Sequence, residues 1–407
     1  MDHLLKAAYP QALSKLIAIT HDISIAEDCL QSACEKAINI WPQQEPESPV
    51  AWLITVARNS FIDWTRRESK SRSIELFDEP IDSTELSEKA LLESFNDDLL
   101  RLIFTSCHPA LKPETQIALS LKHVLGLSTK QIAAALLIPQ KTLEQRLTRA
   151  KKKIAANGIE YEIPAPHRRK ERLNGVLKTI YLLFNEGYFS SDNEHVLQAQ
   201  LCHEAIRLGR LLHQASRGEA EVLGLLALML HLDARSEARF NQAGELVILS
   251  EQNRQLWNAQ KIQEANQLVE KALMIGKGTP YALQAAIASL HNNAQDYAST
   301  DWPQIYELYK LLNKVAPNPI VEINGWIAFA QFSDANIAIE KIKSLEKSVG
   351  DYRQFNVTIA GLYYEENNFE AARKYYSKAL DFVNNATEES FITKRLKLCN
   401  DNLNSSS

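Results

Sequence analysis

Gln140, Lys141, Glu144 and Gln145, followed by Arg146, Arg149, Lys151 and Lys152, crowd amide, carboxylate and cationic side chains into one short stretch. Amides and carboxylates can exchange hydrogen bonds with base edges in a DNA major groove, and lysine and arginine can neutralise phosphates. The first four are therefore expected to read bases and the last four mainly to hold backbone. To act together they must share one side of a helix. At 100° per residue, Leu143, Leu147, Ala150 and Ile154 fall within about 60° of one another and form an apolar stripe. Lys141, Gln145, Thr148 and Lys152 lie opposite, with Arg149 beside them and Arg146 on the flank. Just upstream, Gly126 interrupts the chain, Ser128 is a good N-cap, and "TKQIAAAL" supplies a short helix whose Ile132, Ala133 and Leu136 can pack inward. "LIPQ" turns the chain, with Pro139 suited to a first helical turn. A short support helix, a tight turn and a helix with one greasy and one donor-rich face predict a helix-turn-helix. A solvated basic helix is the plainer alternative, and the matched helix and turn before it argue against that.

A second constellation lies in "SPVAWLITVARNSFIDWTRRESK" (48–70). Leu53, Val56, Ala57, Ser60 and Trp64 are expected on a packed face, with Thr55, Arg58, Asn59, Ile62 and Arg66 projecting. Arginine, asparagine and exposed apolar groups suit single-stranded nucleic acid, where cations hold phosphates and flat groups meet unstacked bases. Before it, "IAEDCLQSACEKAINIW" (25–41) reads as a surface helix with Glu27, Asp28, Gln31 and Glu35 outside and Leu30, Ala33 and Ala37 inside.

Charge becomes informative once it is divided along the chain. Residues 1–98 carry a net of −9, residues 99–154 a net of +8, and residues 155–407 a net of −4, within a total of −5. The basic charge is thus concentrated where polyanion contact is expected. Helical periodicity dominates and alternating strand-like runs are missing, so the fold class is all-α. No apolar run of membrane-spanning length is present and the N-terminus lacks the order of a secretion signal, which makes the cytoplasm the expected location. Cys29, Cys34, Cys107, Cys202 and Cys399 have no metal-ligand spacing and read as core thiols. No metal, nucleotide or other cofactor is expected. No phosphate loop, nucleophile elbow or paired-carboxylate pattern argues for an enzyme, and no catalytic residue is assigned.

Punctuation divides the chain into 1–68, an acidic linker with the start of the next helix at 69–98, the helix-turn-helix unit at 99–156, a junction at 157–173, and a helical region at 174–400. The linker holds Glu75, Asp78, Glu79, Asp82, Glu85 and Glu88. In the last region, "FNVTIAGLYYEENNFEAARKYYSKALDFV" (355–383) follows the large/small alternation of a tetratricopeptide repeat through Tyr363, Phe369, Ala372, Tyr376 and Ala379. Weaker copies are expected at 316–347 and 218–239, because one repeat cannot bury its own apolar face.

In order, "AEDCLQ", "AWLITVARNSFIDWTRR", the acidic linker and "GLSTKQIAAALLIPQKTLEQRLTRAKKKI" resemble the sigma factors of bacterial RNA polymerase in their compact extracytoplasmic-function form. The resemblance covers roughly the first 155 residues. "IYLLFNEGY" (180–188), "LCHEAIRLGRLL" (201–212) and "LGLLALMLHLDAR" (223–235) look like the subgroup with a long helical, tetratricopeptide-like extension. The resemblance implies two small helical sigma domains, 2 and 4, joined by the linker. It places Glu27, Asp28 and Gln31 against core polymerase. It assigns Arg58, Asn59, Asp63, Arg66 and Arg67 to the −10 element, and Gln140, Lys141, Thr142, Glu144, Gln145, Arg146 and Arg149 to the −35 element. The linker would thread toward the RNA exit path. The partners implied are core RNA polymerase and promoter DNA, with a protein partner or an intramolecular contact for the repeats, and no membrane. "KTLEQRL" departs from the "GTVxSRL" of many relatives, so base preference does not carry over. Two other functions would use part of the same residues. A one-component helix-turn-helix regulator with a helical sensor leaves Arg58 to Arg67 without a task, and a repeat scaffold leaves the +8 block without one.

Overall fold

The computed structural model describes residues 2–71, 98–124, 126–136, 138–159, 166–189, 195–216, 218–350, 353–383 and 386–405. Among them the chain is helical apart from turns and one isolated antiparallel bridge between Phe240 and Leu246. It divides into two compact units, 1–182 and 183–407. The acidic residues from Glu75 to Glu88 fall outside the described residues. No described helix is long and apolar enough to cross a membrane.

The first unit opens with α1 (Asp2–Thr20), α2 (Ile23–Ile40) and α3 (Pro49–Ser71). Asp22 caps α2, its Oδ1 accepting from the amides of Ser24 at 2.7 Å and Ile25 at 3.1 Å, which satisfies donors that a helix start leaves free. The three helices pack on one another through Leu13, Leu16, Leu30, Leu53 and Ala57, all buried. α3 runs to Ser71, past the boundary expected at residue 68.

The same unit continues with α4 (98–106), α5 (Pro113–His123), α6 (Thr129–Ala135) and α7 (Gln140–Ala156). α8 (Pro166–Phe189) then occupies part of the stretch expected as a junction at 157–173. Proline at the first helical position starts a helix as readily as it ends one, because its missing N–H is not needed there. Within this unit Cys107 Sγ lies 3.6 Å from Thr179 Oγ1, so α8 packs on the end of α4.

The second unit is organised around α10 (Ala220–Asp233), which is buried on nearly every side and apolar all round, as a central helix must be. α9 (His195–Ala215), α11 (Ala259–Ile275) and α12 (Pro280–Asn293) surround it. α12 crosses at Gly224, where an added Cβ would sit 2.4 Å from the Ala282 amide nitrogen. Further along come α13 (Trp302–Val315), α14 (Pro319–Ala330), α15 (Ala335–Ser344), α16 (Glu346–Val349), α17 (Arg353–Glu365), α18 (Phe369–Leu380) and α19 (Ala386–Ser405). α17 and α18 form the helix pair expected at 355–383. Ala360, Ala372, Tyr376 and Ala379 are buried between them and α19, and Tyr363 stacks on Tyr375 at 5.9 Å. α14 and α15 supply a pair within 316–347.

The copy expected at 218–239 is not a helix pair. It holds α10 alone, followed by short 3-10 turns at Ser236–Ala238, Leu249–Glu251 and Arg254–Leu256 before α11 begins. The apolar run that suggested a repeat reflects the all-round burial of α10. Because the α10–α12 crossing has no room for a side chain, Gly224→Ala should destabilise the second unit by about 1–3 kcal/mol, the range for overpacking. A lower thermal midpoint by circular dichroism is the expected result; an unchanged midpoint would mean the helices part without cost.

Candidate nucleic-acid interface

The two helices of the reader are set by their ends. Ser128 Oγ accepts from the Gln131 amide at 3.2 Å while Gln131 Oε1 accepts from the Ser128 amide at 3.0 Å. This reciprocal cap starts α6 where the sequence pattern placed it. Pro139 sits one residue outside α7, not in its first turn: its ψ of 136° is extended, and its carbonyl accepts from Thr142 and Leu143. Leu143, Leu147, Ala150 and Ile154 are buried as the stripe required. Gln140, Lys141, Glu144, Gln145, Arg149 and Lys152 are exposed, and Thr142 and Arg146 are half-buried. Gln140 Nε2 donates to Glu144 Oε1 at 2.9 Å. That bond leaves the Gln140 carbonyl oxygen and the second Glu144 oxygen free to accept from base amino groups.

On α3, Asn59, Asp63, Arg66 and Arg67 are exposed and Arg58 is half-buried. Leu53 and Ala57 are buried as expected, but Trp64 is 43% exposed, against its expected place on the packed face. No described residue of α3 beyond Ala57 is fully buried, although Ser60, Phe61, Ile62 and Thr65 are half-buried. Phe61 stacks on the Trp64 ring at 6.1 Å, leaving an aromatic pair beside the arginines.

Asp28 and Gln31 on α2 are exposed, whereas Glu27 is not free. Its Oε1 lies 3.2 Å from Nε2 of His123, a fully buried side chain at the end of α5, and its Oε2 pairs with Lys151 Nζ of α7. Burial alone would raise the Glu27 carboxyl. The hydrogen bond from His123, then the hydrogen bond and positive charge of Lys151, outweigh it and hold the group at about 2. Burial holds His123 below the ordinary histidine range, only partly offset by Glu27, so the neutral ring donates to the carboxylate. Nearby, Gly126 takes a left-handed φ of 64°, and a Cβ there would come within 2.8 Å of Pro10 Cγ. Lys15 pairs with the buried Asp98 at 3.3 Å. The sequence pattern did not single out His123, which lies in the apolar run "LSLKHVL"; a histidine in such a run needs a polar partner, but nothing local says which.

Residues 4–71 match the family described as Sigma-70 region 2, residues 101–154 match Sigma-70, region 4, and residues 172–273 match a family of unknown function, DUF6596. The sigma factor SigL of Mycobacterium tuberculosis, described as an ECF RNA polymerase sigma factor, is 30% identical over 156 residues, covering 35% of this chain and 82% of SigL. The chain belongs to the ECF sigma factors. YlaC of Bacillus subtilis, an RNA polymerase sigma factor, is 28% identical over 147 residues, 33% of this chain and 79% of YlaC. Over the whole length the chain is similar to the uncharacterized protein R00370 of Rhizobium meliloti, at 38% identity across 97% of this chain and 95% of that protein. The chain is thus an alternative sigma factor that directs transcription initiation, binds core RNA polymerase and promoter DNA, and carries a helical C-terminal extension.

The Glu27 contact gives a pH-dependent expectation. A carboxyl held at about 2 against an ordinary 4.5 contributes stability that is fully present above 4.5 and is lost as pH falls toward 2. Glu27→Gln should therefore cost the first unit about 1–3 kcal/mol at pH 7 by leaving a partly buried charge unpaired. Denaturant titrations should show the gap holding down to about pH 5 and narrowing below 4.5. An equal gap at pH 7 and pH 3.5 would contradict the charged pairing.

Proposed function

We propose that the sigma activity divides among three faces of the first unit. Asp28 and Gln31, joined by Glu27 once it is released, dock on core polymerase. Arg58, Asn59, Asp63, Arg66 and Arg67 bind the −10 element as it opens. Gln140, Lys141, Thr142, Glu144 and Gln145 read the −35 element, while Arg146, Arg149, Lys151 and Lys152 neutralise backbone phosphates. The exposed donor face of α7 carries this reading, because its buried stripe fixes which side chains can enter a groove. The chain supplies specificity and polymerase supplies the nucleotidyl transfer, so the protein is no enzyme and works in the cytoplasm beside polymerase.

The pairing of Glu27 with Lys151 joins a polymerase-docking group to a phosphate-binding one. In the resting chain each occupies the other, and polymerase binding frees both. The extension regulates this exchange or recruits a further protein. A chain ending at Leu182 tests that role better than one ending in the junction, since it keeps the part of α8 that packs on Cys107. Unchanged promoter-specific transcription by the shortened chain, in vitro and in cells, would remove the extension from regulation.

Adding the full chain to core polymerase with a promoter library should produce initiation from sites sharing two elements. Duplex binding without polymerase, and no initiation with it, would instead favour a one-component regulator. Gln145→Ala should relax preference at one −35 position at a cost of about 1–3 kcal/mol. Arg149→Ala should weaken all promoters alike and lower the salt slope by about one.

A further inference from the structure

Buried polar atoms without partners gather in one place in the second unit, where the chain leaves α10, turns through 254–258 and meets the C-terminal end of α12. Arg235, just after α10, is only 8% exposed, and its Nε is buried without a partner. Arg254 donates through Nη1 to the carbonyls of His291 and Ala294, both at 2.8 Å, while its Nη2 is buried and unpartnered. The Trp257 ring is near both cations, 4.5 Å from the Arg254 Cζ and 6.0 Å from that of Arg235, and its own Nε1 has no acceptor. Asn292 Nδ2 reaches His231 Nδ1 at 3.1 Å, which puts the proton of that neutral ring on Nε2, again buried without a partner.

The carboxylates that could neutralise this cluster are engaged elsewhere. Asp233 pairs with Lys261 at 2.6 Å, and Glu251 with Arg395 at 3.0 Å. Asp296 acts on Arg254 only through space, its carboxylate accepting from the Ser299 amide. Among the described residues, no carboxylate forms an ion pair with Arg235 or Arg254. Both histidines register the surplus: burial first, then the positive charge of Arg235, lowers His231 to about 3, and burial with Arg235 and Arg254 lowers His291 to about 4.

A guanidinium largely withdrawn from water without an anion, as at Arg235, beside the half-buried one of Arg254, is costly, and the indole face offsets only part of that cost. Donors without acceptors are equally unusual in a folded interior. An oxyanion supplies both missing elements, since its oxygens accept several hydrogen bonds and guanidinium forks match phosphate and carboxylate geometry. We propose that Arg235, Arg254, Trp257 and His231 form a binding site for a small oxyanion, a phosphate or carboxylate group, in the helical extension. Asn292 Oδ1, an unpartnered acceptor of the adjoining α12, then takes a water or a hydroxyl of the bound molecule. The extension would in this way respond to a metabolite and not only to a protein.

The test is made on the full chain at constant ionic strength, replacing chloride by inorganic phosphate or by malonate. Phosphate can also meet the basic face of α7, so Arg235→Met is the control; it leaves α7 intact. The thermal midpoint should rise with one of the two anions in the wild-type chain. Affinity by calorimetry should fall at least about tenfold in Arg235→Met, as expected when a charge-assisted contact is lost. The anion that acts identifies the ligand as phosphate-bearing or carboxylate-bearing. In parallel, the ring nitrogens of His231 and His291, followed by nuclear magnetic resonance in the wild-type chain, should shift on titration as their protonated forms become easier to reach. No shift at either ring with both anions, or equal anion affinity in Arg235→Met, would overturn the site.

Discussion

A single carboxylate, that of Glu27, ties α2 to both α5 and α7. It accepts from a buried histidine and pairs with a lysine that belongs to the DNA-reading helix. The contacts between α2, α5 and α7 follow from the need to satisfy that group. His123 can be buried because Glu27 accepts its ring N–H, and Lys151 can lie half-buried because Glu27 neutralises it. Ion pairs of this kind contribute less to stability than to fixing one arrangement over others, because desolvation offsets much of the attraction. They also come apart when a competitor offers each partner a better one. In the roles proposed for them, polymerase for the carboxylate and phosphate for the lysine are such competitors.

The charge distribution has the same logic. A block of +8 in a chain of net −5 makes a modest polyanion binder, and phosphate neutralisation supplies most nonspecific affinity. Two weak readers become effective when both are held against one promoter, since the second contact is then intramolecular. In the proposed reading, such a chain keeps its docking helix paired with its −35 reader until polymerase supplies the frame that separates them.

Helix faces were legible in the sequence because burial follows the 3.6-residue period locally. The stripe Leu143, Leu147, Ala150 and Ile154, the Ser128 cap and the α17–α18 pair all follow from nearest neighbours along the chain. Features that depend on a distant partner were not legible. Trp64 has the right period to be packed, yet it is left 43% exposed. Glu27 looks like any exterior glutamate until α5 and α7 are brought beside it. The run 218–239 imitates a repeat because total burial and repeat packing both call for small and apolar residues. The cluster of Arg235, Arg254, Trp257 and His231 is assembled across a turn, and unpaired charge is visible only when every neighbour is known.

Paired spin labels at Lys36 on α2 and Ala156 on α7, both exposed, report directly on whether the Glu27-bearing helix and α7 part, once the half-buried Cys34 has been replaced by serine. The free chain should give one short distance, and core polymerase should lengthen it. A distance that stays the same in a complex active in promoter-specific initiation would contradict the account.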